Sequence, residues 1–251
     1  MKMPRTVLIT GATSGIGRAC AEAFHKAGSR VVAVGRRKDR LDELASDLGG
    51  DVHTIALDVR DGPAVEQAFA ALPEEWRHID LLLNNAGLAV GKEPLQAGEV
   101  SAWLQMVETN VIGLLQVTAQ VLPAMVEKGS GHIINIGSIA GRETYPTGTV
   151  YCATKAAVDR ITKGMRMDVL GSGVRVSTVD PGMVQTEFNT VRYRGDTDRA
   201  DAHYEGVTPL SPEDVADAVT WAASRPAHVQ IAEVLILPTD QAGAGKLARR
   251  S

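Results

Sequence analysis

One feature restricts the fold of this chain more than any other: short runs of β-branched and aliphatic residues alternate with longer segments of helical period. The runs are "TVLIT" (6–10), "RVVAVG" (30–35), "VHTIALDV" (52–59), "IDLLLNN" (79–85), "GHIINIG" (131–137), "VRVSTVD" (174–180) and "EVLILP" (233–238). Most are continuously apolar, as strands covered on both faces must be. Strands and helices in this order build βαβ units and a parallel sheet. Helical segments are predicted near 15–28, 38–48, 62–72, 99–127, 150–171 and 211–224. The last opens "SPED", with Ser211 as N-cap, Pro212 at the first helical position, and Glu213 and Asp214 complementing the helix dipole.

No low-complexity linker, repeat or break in composition divides the 251 residues. The expectation is an α/β chain with a single doubly wound, Rossmann-type domain over 1–251, about seven parallel strands, and helices on both faces. One stretch breaks the pattern. Residues 185–208, "QTEFNTVRYRGDTDRADAHYEGVT", are polar, charged and without period, a length often used for a lid or binding loop and otherwise for a solvated excursion.

A formal net charge of −4 supplies no electrostatic reason to expect nucleic acid or an anionic membrane as partner. No segment is read as approaching the roughly 20 apolar residues that span a bilayer. The N-terminus runs straight into the first strand, without the apolar region of a signal peptide. The two cysteines, Cys20 and Cys152, each fall within a helical segment and lack metal-ligand spacing. A reduced, cytoplasmic protein is expected, with no metal.

In "TVLITGATSGIG" a strand leads into Gly11, Gly15 and Gly17 and then a helix. Glycines at such a turn let the backbone approach a pyrophosphate, whose charge meets amide N–H groups at the helix N-terminus. The spacing departs from the G-x-G-x-x-G fingerprint, and a tight turn without ligand has the same composition. At the end of the second strand, where NAD-binding domains offer a carboxylate to the ribose 2′-hydroxyl, the chain reads Gly35-Arg36-Arg37. Guanidinium there suits a 2′-phosphate. The preference expected is NADP(H); the alternative is a solvated helix start.

Tyr151 and Lys155, in "YCATK", stand one helical turn apart, with Cβ atoms about 5–6 Å apart on one face. The apolar positions Val150, Ala153, Ala157, Val158, Ile161 and Met165 form a stripe that this pair would flank. A phenol with a pKa near 10 is lowered by a nearby ammonium and can then serve as general acid or base. Ser138 ends the strand "HIINIG" at the carboxyl edge where open α/β sheets bind ligands. Its hydroxyl could hold a substrate oxygen beside the phenol.

"TGATSGIG", "NNAG" (84–87) and "YCATK", in this order, resemble the motifs of the short-chain dehydrogenase/reductase family, and the likeness runs through essentially the whole chain. The resemblance implies that Tyr151 is the proton donor, that Ser138 orients the carbonyl oxygen, and that Lys155 binds the nicotinamide ribose and lowers the phenol's pKa. Asn110, in "ETNVIG", would hold a water of the proton relay. By the same resemblance the cofactor would lie against Gly11, Thr13, Ser14, Gly15, Ile16 and Gly17 of the glycine loop, and Arg36 and Arg37 after the second strand. Asp58, Val59, Asn85, Ala86 and Gly87 would follow, with Tyr151, Lys155, Pro181, Gly182, Val184 and Thr186 around the nicotinamide.

Within the family, "LPEEWRHIDLLLNNAGLAVGKEP", "TEFNTVRYRGD", "LSPEDVADAV" and "RPAHVQI" resemble the NADP-dependent 3-hydroxy acid dehydrogenases that also oxidise serine and allo-threonine. The resemblance implies hydride transfer between NADP(H) and a small acidic hydroxy compound. Sulfoacetaldehyde, other aldehydes, a sugar, a steroid or an acyl thioester are alternative substrates, and a non-catalytic NADP-binding sensor is an alternative function. Arginine suits a carboxylate or sulfonate, which singles out Arg142, close after Ser138, and Arg192, Tyr193 and Arg194 in the irregular stretch. Long helices at 99–127 and 150–171, rich in small apolar residues, match the pair that commonly builds a tetramer in the family. A homo-oligomer is expected, a tetramer over a dimer.

Overall fold

The computed structural model describes residues 3–250. Seven strands, β1 (Thr6–Thr10), β2 (Arg30–Gly35), β3 (Val52–Ala56), β4 (Leu81–Asn84), β5 (Gly131–Ile136), β6 (Val174–Pro181) and β7 (Glu233–Ile236), form one sheet. All pair in parallel in the order β3-β2-β1-β4-β5-β6-β7. The order reverses between β1 and β4, which opens a crevice at their carboxyl ends.

Burial on both faces explains the continuous apolar runs. Successive side chains of a strand point to opposite faces, so Val7 and Ile9 join Leu81, Leu83 and Ile134 in one core while Leu8 joins Leu82 and Ile133 in the other. The first core is closed by α1 (Gly15–Lys26) and by a C-terminal helix, Pro212–Ala223, whose small residues Ala19, Ala21, Ala216, Ala222 and Ala223 allow close approach. Ser211 caps that last helix reciprocally with Asp214, as its sequence predicts.

The structure differs from the sequence expectations at four points. The 99–127 segment is two α-helical stretches, Val100–Val107 and Leu114–Lys128, joined by a π-helical turn at Glu108–Gly113. The whole of Val100–Lys128 is, by length and composition, apolar enough to cross a membrane, contrary to the reading that no segment approaches this. It is doubly apolar because Met106, Leu114, Val117, Val121 and Met125 are buried while Val100, Leu104, Ile112, Leu115 and Val126 remain exposed. Residues 185–208 also fold into two short helices, Phe188–Arg192 and Thr197–Ala202. Finally, Gln241–Gly243 and Lys246–Leu247 pair as an antiparallel hairpin that the sequence had not signalled.

His132, on β5, is buried with Nε2 against the Ser177 hydroxyl at 2.7 Å and Nδ1 unpaired. Burial, reinforced by Arg175, lowers its pKa from 6.5 to about 3. The unfolded chain therefore binds a proton below pH 6.5 that the folded chain refuses until about pH 3. Stability is expected to fall as pH drops through that window, by an amount on the order of a few kcal/mol. In His132→Gln this part of the loss should disappear, which denaturant melts at pH 4 and pH 7 would reveal by comparison with the parent.

Candidate active site

The crevice between β1 and β4 continues past β5 and β6 as one long cleft. Its lining includes every cofactor residue named from the sequence except Gly17. Gly17 lies beneath the floor: a Cβ there would sit 2.2 Å from the Gly11 carbonyl oxygen and 2.5 Å from Asn85 Nδ2. Its absence of side chain lets α1 dock on the loop, so its part is packing. Gly11 holds a positive φ of 67°, and a Cβ on it would press on Asn85 and Ala86.

The "NNAG" stretch is what fixes this loop. Asn85 Nδ2 donates to the carbonyls of Thr10 at 2.9 Å and Gly11 at 3.2 Å, and the Thr10 hydroxyl accepts the amides of Asn85 and Ala86. Asn84 spans neighbouring elements, donating to Thr118 Oγ1 and Asn135 Oδ1. With the loop held open, the first turn of α1 carries no acidic side chain. The buried Thr109 hydroxyl on the cleft wall has no hydrogen-bond partner among the described residues. A glycine cradle beside a helix N-terminus, together with a polar atom left for a ligand to satisfy, fits a dinucleotide.

At the second-strand end, Arg36 is exposed on the rim. Arg37 is already engaged by Thr13 Oγ1, Ser14 Oγ and Glu187 Oε2, the last at 2.9 Å; Arg40 holds the other Glu187 oxygen at 2.6 Å. Asp58 lies in the lining with its carboxylate pulled below the usual range, chiefly by its hydrogen bond to Arg60.

The helix α2 (Thr149–Asp168) brings Tyr151 and Lys155 to the cleft. Here the structure departs from the sequence reading. The buried face of α2 runs through Cys152, Thr154, Lys155, Val158, Thr162 and Met165, so Lys155 belongs to the buried side and Ala153 is exposed. Lys155 Nζ donates to the Ile136 carbonyl at 2.8 Å. Burial lowers its pKa to about 8, against the opposing pull of Asp180.

The phenol of Tyr151 is raised above the ordinary tyrosine value, first by burial; Arg192 opposes, Tyr145 adds to the rise, and the nearby Ser138 hydroxyl lowers it. Arg192 is thus the cation acting most on Tyr151, not Lys155 as the spacing suggested. Its guanidinium carbon lies 5.2 Å from the Tyr151 ring centroid, whereas the Lys155 ammonium is drawn to a backbone carbonyl.

Asn110 sits in the π-helical turn, a feature frequent at functional sites. Its Oδ1 accepts the Leu88 amide at 2.8 Å, and its Nδ2 donates to the Leu88 carbonyl and to Thr154 Oγ1. The side chain clamps the segment after β4 to α2, so a water of a proton relay would need some other atom than these engaged groups.

A second cavity, of about 260 Å³, opens beside the first and shares Ser138, Tyr151, Gly182, Val184 and Phe188 with it. That size is at the small end of ligand pockets. Of the residues singled out for substrate, Ser138 and Arg192 line it, and three do not. Arg142 is bound by Asp180 and Glu233, both at 2.6 Å. Arg194 is paired with Glu99 at 3.0 Å, and the Tyr193 hydroxyl turns to Lys92 and His203.

Arg192, only 7% exposed, lies near the rings of Phe188, Tyr151 and Tyr145 and donates to the Tyr145 hydroxyl at 2.6 Å. It has no carboxylate partner among the described residues. Sequence reading missed Tyr145, Lys92, His203, Glu187 and the C-terminal hairpin, whose Ala244, Gly245 and Leu247 help wall this cavity. A signal was available for Tyr145. The chain has four tyrosines, and the other three, 151, 193 and 204, lie in the catalytic helix or the irregular stretch.

A family model described as short chain dehydrogenase matches residues 5–196. An NADP-dependent 3-hydroxy acid dehydrogenase (YdfG) of Salmonella typhi is 48% identical over 246 residues, 98% of this chain and 99% of the relative. A serine 3-dehydrogenase of Agrobacterium fabrum is 44% identical over 243 residues, 97% of each chain. Among solved structures, the closed form of a serine dehydrogenase complexed with NADP+ superposes with a TM-score of 0.94 at 46% identity, covering 98% of this chain and all of that one. The Escherichia coli serine dehydrogenase follows at 0.84 and 43%, with coverage of 94% and 99%.

Proposed function

The chain belongs to the short-chain dehydrogenase family, and from that premise we propose that it interconverts a small 3-hydroxy acid, serine-like compounds included, and its carbonyl form with NADP(H). One observation carries the choice of an acidic substrate: a buried arginine without an acidic partner among the described residues, Arg192, shares a small cavity with the Tyr151 phenol and Ser138. An unpaired buried guanidinium is costly, and a substrate carboxylate meets it bidentately.

NADPH held in the long cleft would supply the hydride for the carbonyl carbon. Tyr151 gives its proton to the carbonyl oxygen, and the Ser138 hydroxyl, which lines the same cavity, steadies that oxygen. Lys155 contributes buried positive charge at the cleft, and Asn110 fixes the wall beside it. Exposed apolar residues on Val100–Lys128 and at the end of α2, where Met167 is 75% and, just beyond the helix, Leu170 87% exposed, support a homo-oligomer, and the likeness of this helix pair to the family's interface favours a tetramer. Buried free thiols at Cys20 and Cys152 suit a reducing, cytoplasmic setting.

The test is oxidation of 3-hydroxybutyrate and serine against neutral alcohols of equal length with NADP+, followed by nicotinamide absorbance. Acids should be preferred; equal turnover of the neutral alcohols would overturn the reading. On the cofactor side, NADPH should be favoured over NADH. Since Arg37 is occupied by Glu187 and Arg36 is exposed at the rim, Arg36→Ala is expected to lower kcat/KM for NADPH about tenfold or more while NADH changes little.

A further inference from the structure

The cavity that holds Arg192 carries more positive charge than one carboxylate can satisfy. Lys92 and Arg249 also line it, and no aspartate or glutamate does among the described residues. Lys92 is half-buried, with Nζ 3.2 Å from the Tyr193 hydroxyl and over that ring. Arg249 reaches back to the backbone carbonyls of Glu205 and His203. Neither has a carboxylate within ion-pair distance among the described residues. In a chain of net charge −4, three cations facing one small space without a counter-ion run against the overall balance.

Building on the reading above, we propose that the natural substrate is a dianion, a 3-hydroxy acid whose second carboxylate is bound by Lys92 and Arg249. Lys92 and Arg249 line this cavity but not the cofactor cleft, whereas Tyr151 and Ser138 line both, so the second anion sits on the side turned from the nicotinamide. His203 lines the same cavity, accepts from Arg249 at its backbone carbonyl, and meets the rings of Tyr193 and Tyr204 edge-on. Its pKa is lowered to about 4, first by burial and then by Lys92, Arg192 and Arg249, so at neutral pH it adds no charge of its own and offers a neutral ring nitrogen to the ligand. A monocarboxylate held by Arg192 leaves Lys92, half-buried, and Arg249, exposed at the edge of the same cavity, without an anion. A second carboxylate supplies that anion and gains charge-assisted hydrogen bonds.

The experiment compares kcat/KM for oxidation of 3-hydroxyglutarate and 3-hydroxybutyrate by the full chain with NADP+. The diacid should be favoured at least about tenfold, carried by a lower KM, as expected for one added charge-assisted contact. In Lys92→Gln the diacid-to-monoacid ratio should fall by about tenfold, and in Arg249→Gln it should fall as well. A parent ratio of one or below, or a ratio untouched by Lys92→Gln, overturns the dianion assignment alone. Turnover of neither acid overturns the proposed reaction along with it.

Discussion

Tyr151→Phe is expected to lose catalysis by about a thousandfold, within the range that a positioned proton donor contributes. The change removes one oxygen and leaves the ring, so the edge contact with Phe188 at 5.5 Å and the packing under Arg192 persist. The cofactor cleft is built mainly by the glycine loop, Asn85 and the strand ends, none of which leans on that hydroxyl. NADPH titration by fluorescence should therefore give an unchanged binding constant in the variant. Residual activity above about a tenth of the parent would contradict the role of Tyr151 as proton donor. The raised pKa of the phenol has a directional consequence. Protonated at neutral pH, Tyr151 is ready for carbonyl reduction, while alcohol oxidation needs the phenolate and should accelerate as pH rises.

Arg192→Ala is the second large effect. Truncating one partner of a buried charge pair costs several kcal/mol, so kcat/KM for a 3-hydroxy acid should drop by about a hundredfold or more. A neutral alcohol should lose less. Arg192→Lys should restore little, because a point charge cannot reproduce a fork that touches Tyr145 and a carboxylate together. The same substitution to alanine removes the charge opposing the effect of burial on the phenol. The rise of oxidation with pH should shift further alkaline, which a merely structural loss would not produce. Arg194→Ala, by contrast, breaks only an exposed pair with Glu99 and should leave kinetics within about twofold. Equal losses for acidic and neutral substrates in Arg192→Ala would sink the carboxylate assignment.

The contrast between these two arginines shows where sequence reasoning stops. Both lie in one polar stretch without period, two residues apart, and nothing local distinguishes them. Arg142 looked as good a candidate, being near Ser138, yet it meets Asp180 and Glu233, 38 and 91 positions away. The π-helical turn at Asn110 and the C-terminal hairpin escaped notice for a related reason: each is shaped by packing against distant segments more than by local propensity.

What the amino-acid order alone determined was the part written in neighbouring residues. Apolar runs covered on two faces, helical period, the glycine turn and the one-turn spacing of Tyr151 and Lys155 are local patterns, so the parallel sheet and the place of the catalytic helix could be read directly. Tertiary structure alone decided which charges are neutralised. It sent Lys155 to a backbone carbonyl, gave Arg142 and Arg194 their carboxylates, tied Arg37 to Glu187, and left Arg192 with no carboxylate among the described residues. Ion pairing and desolvation depend on groups brought together from far along the chain, and that proximity exists only once the chain is folded.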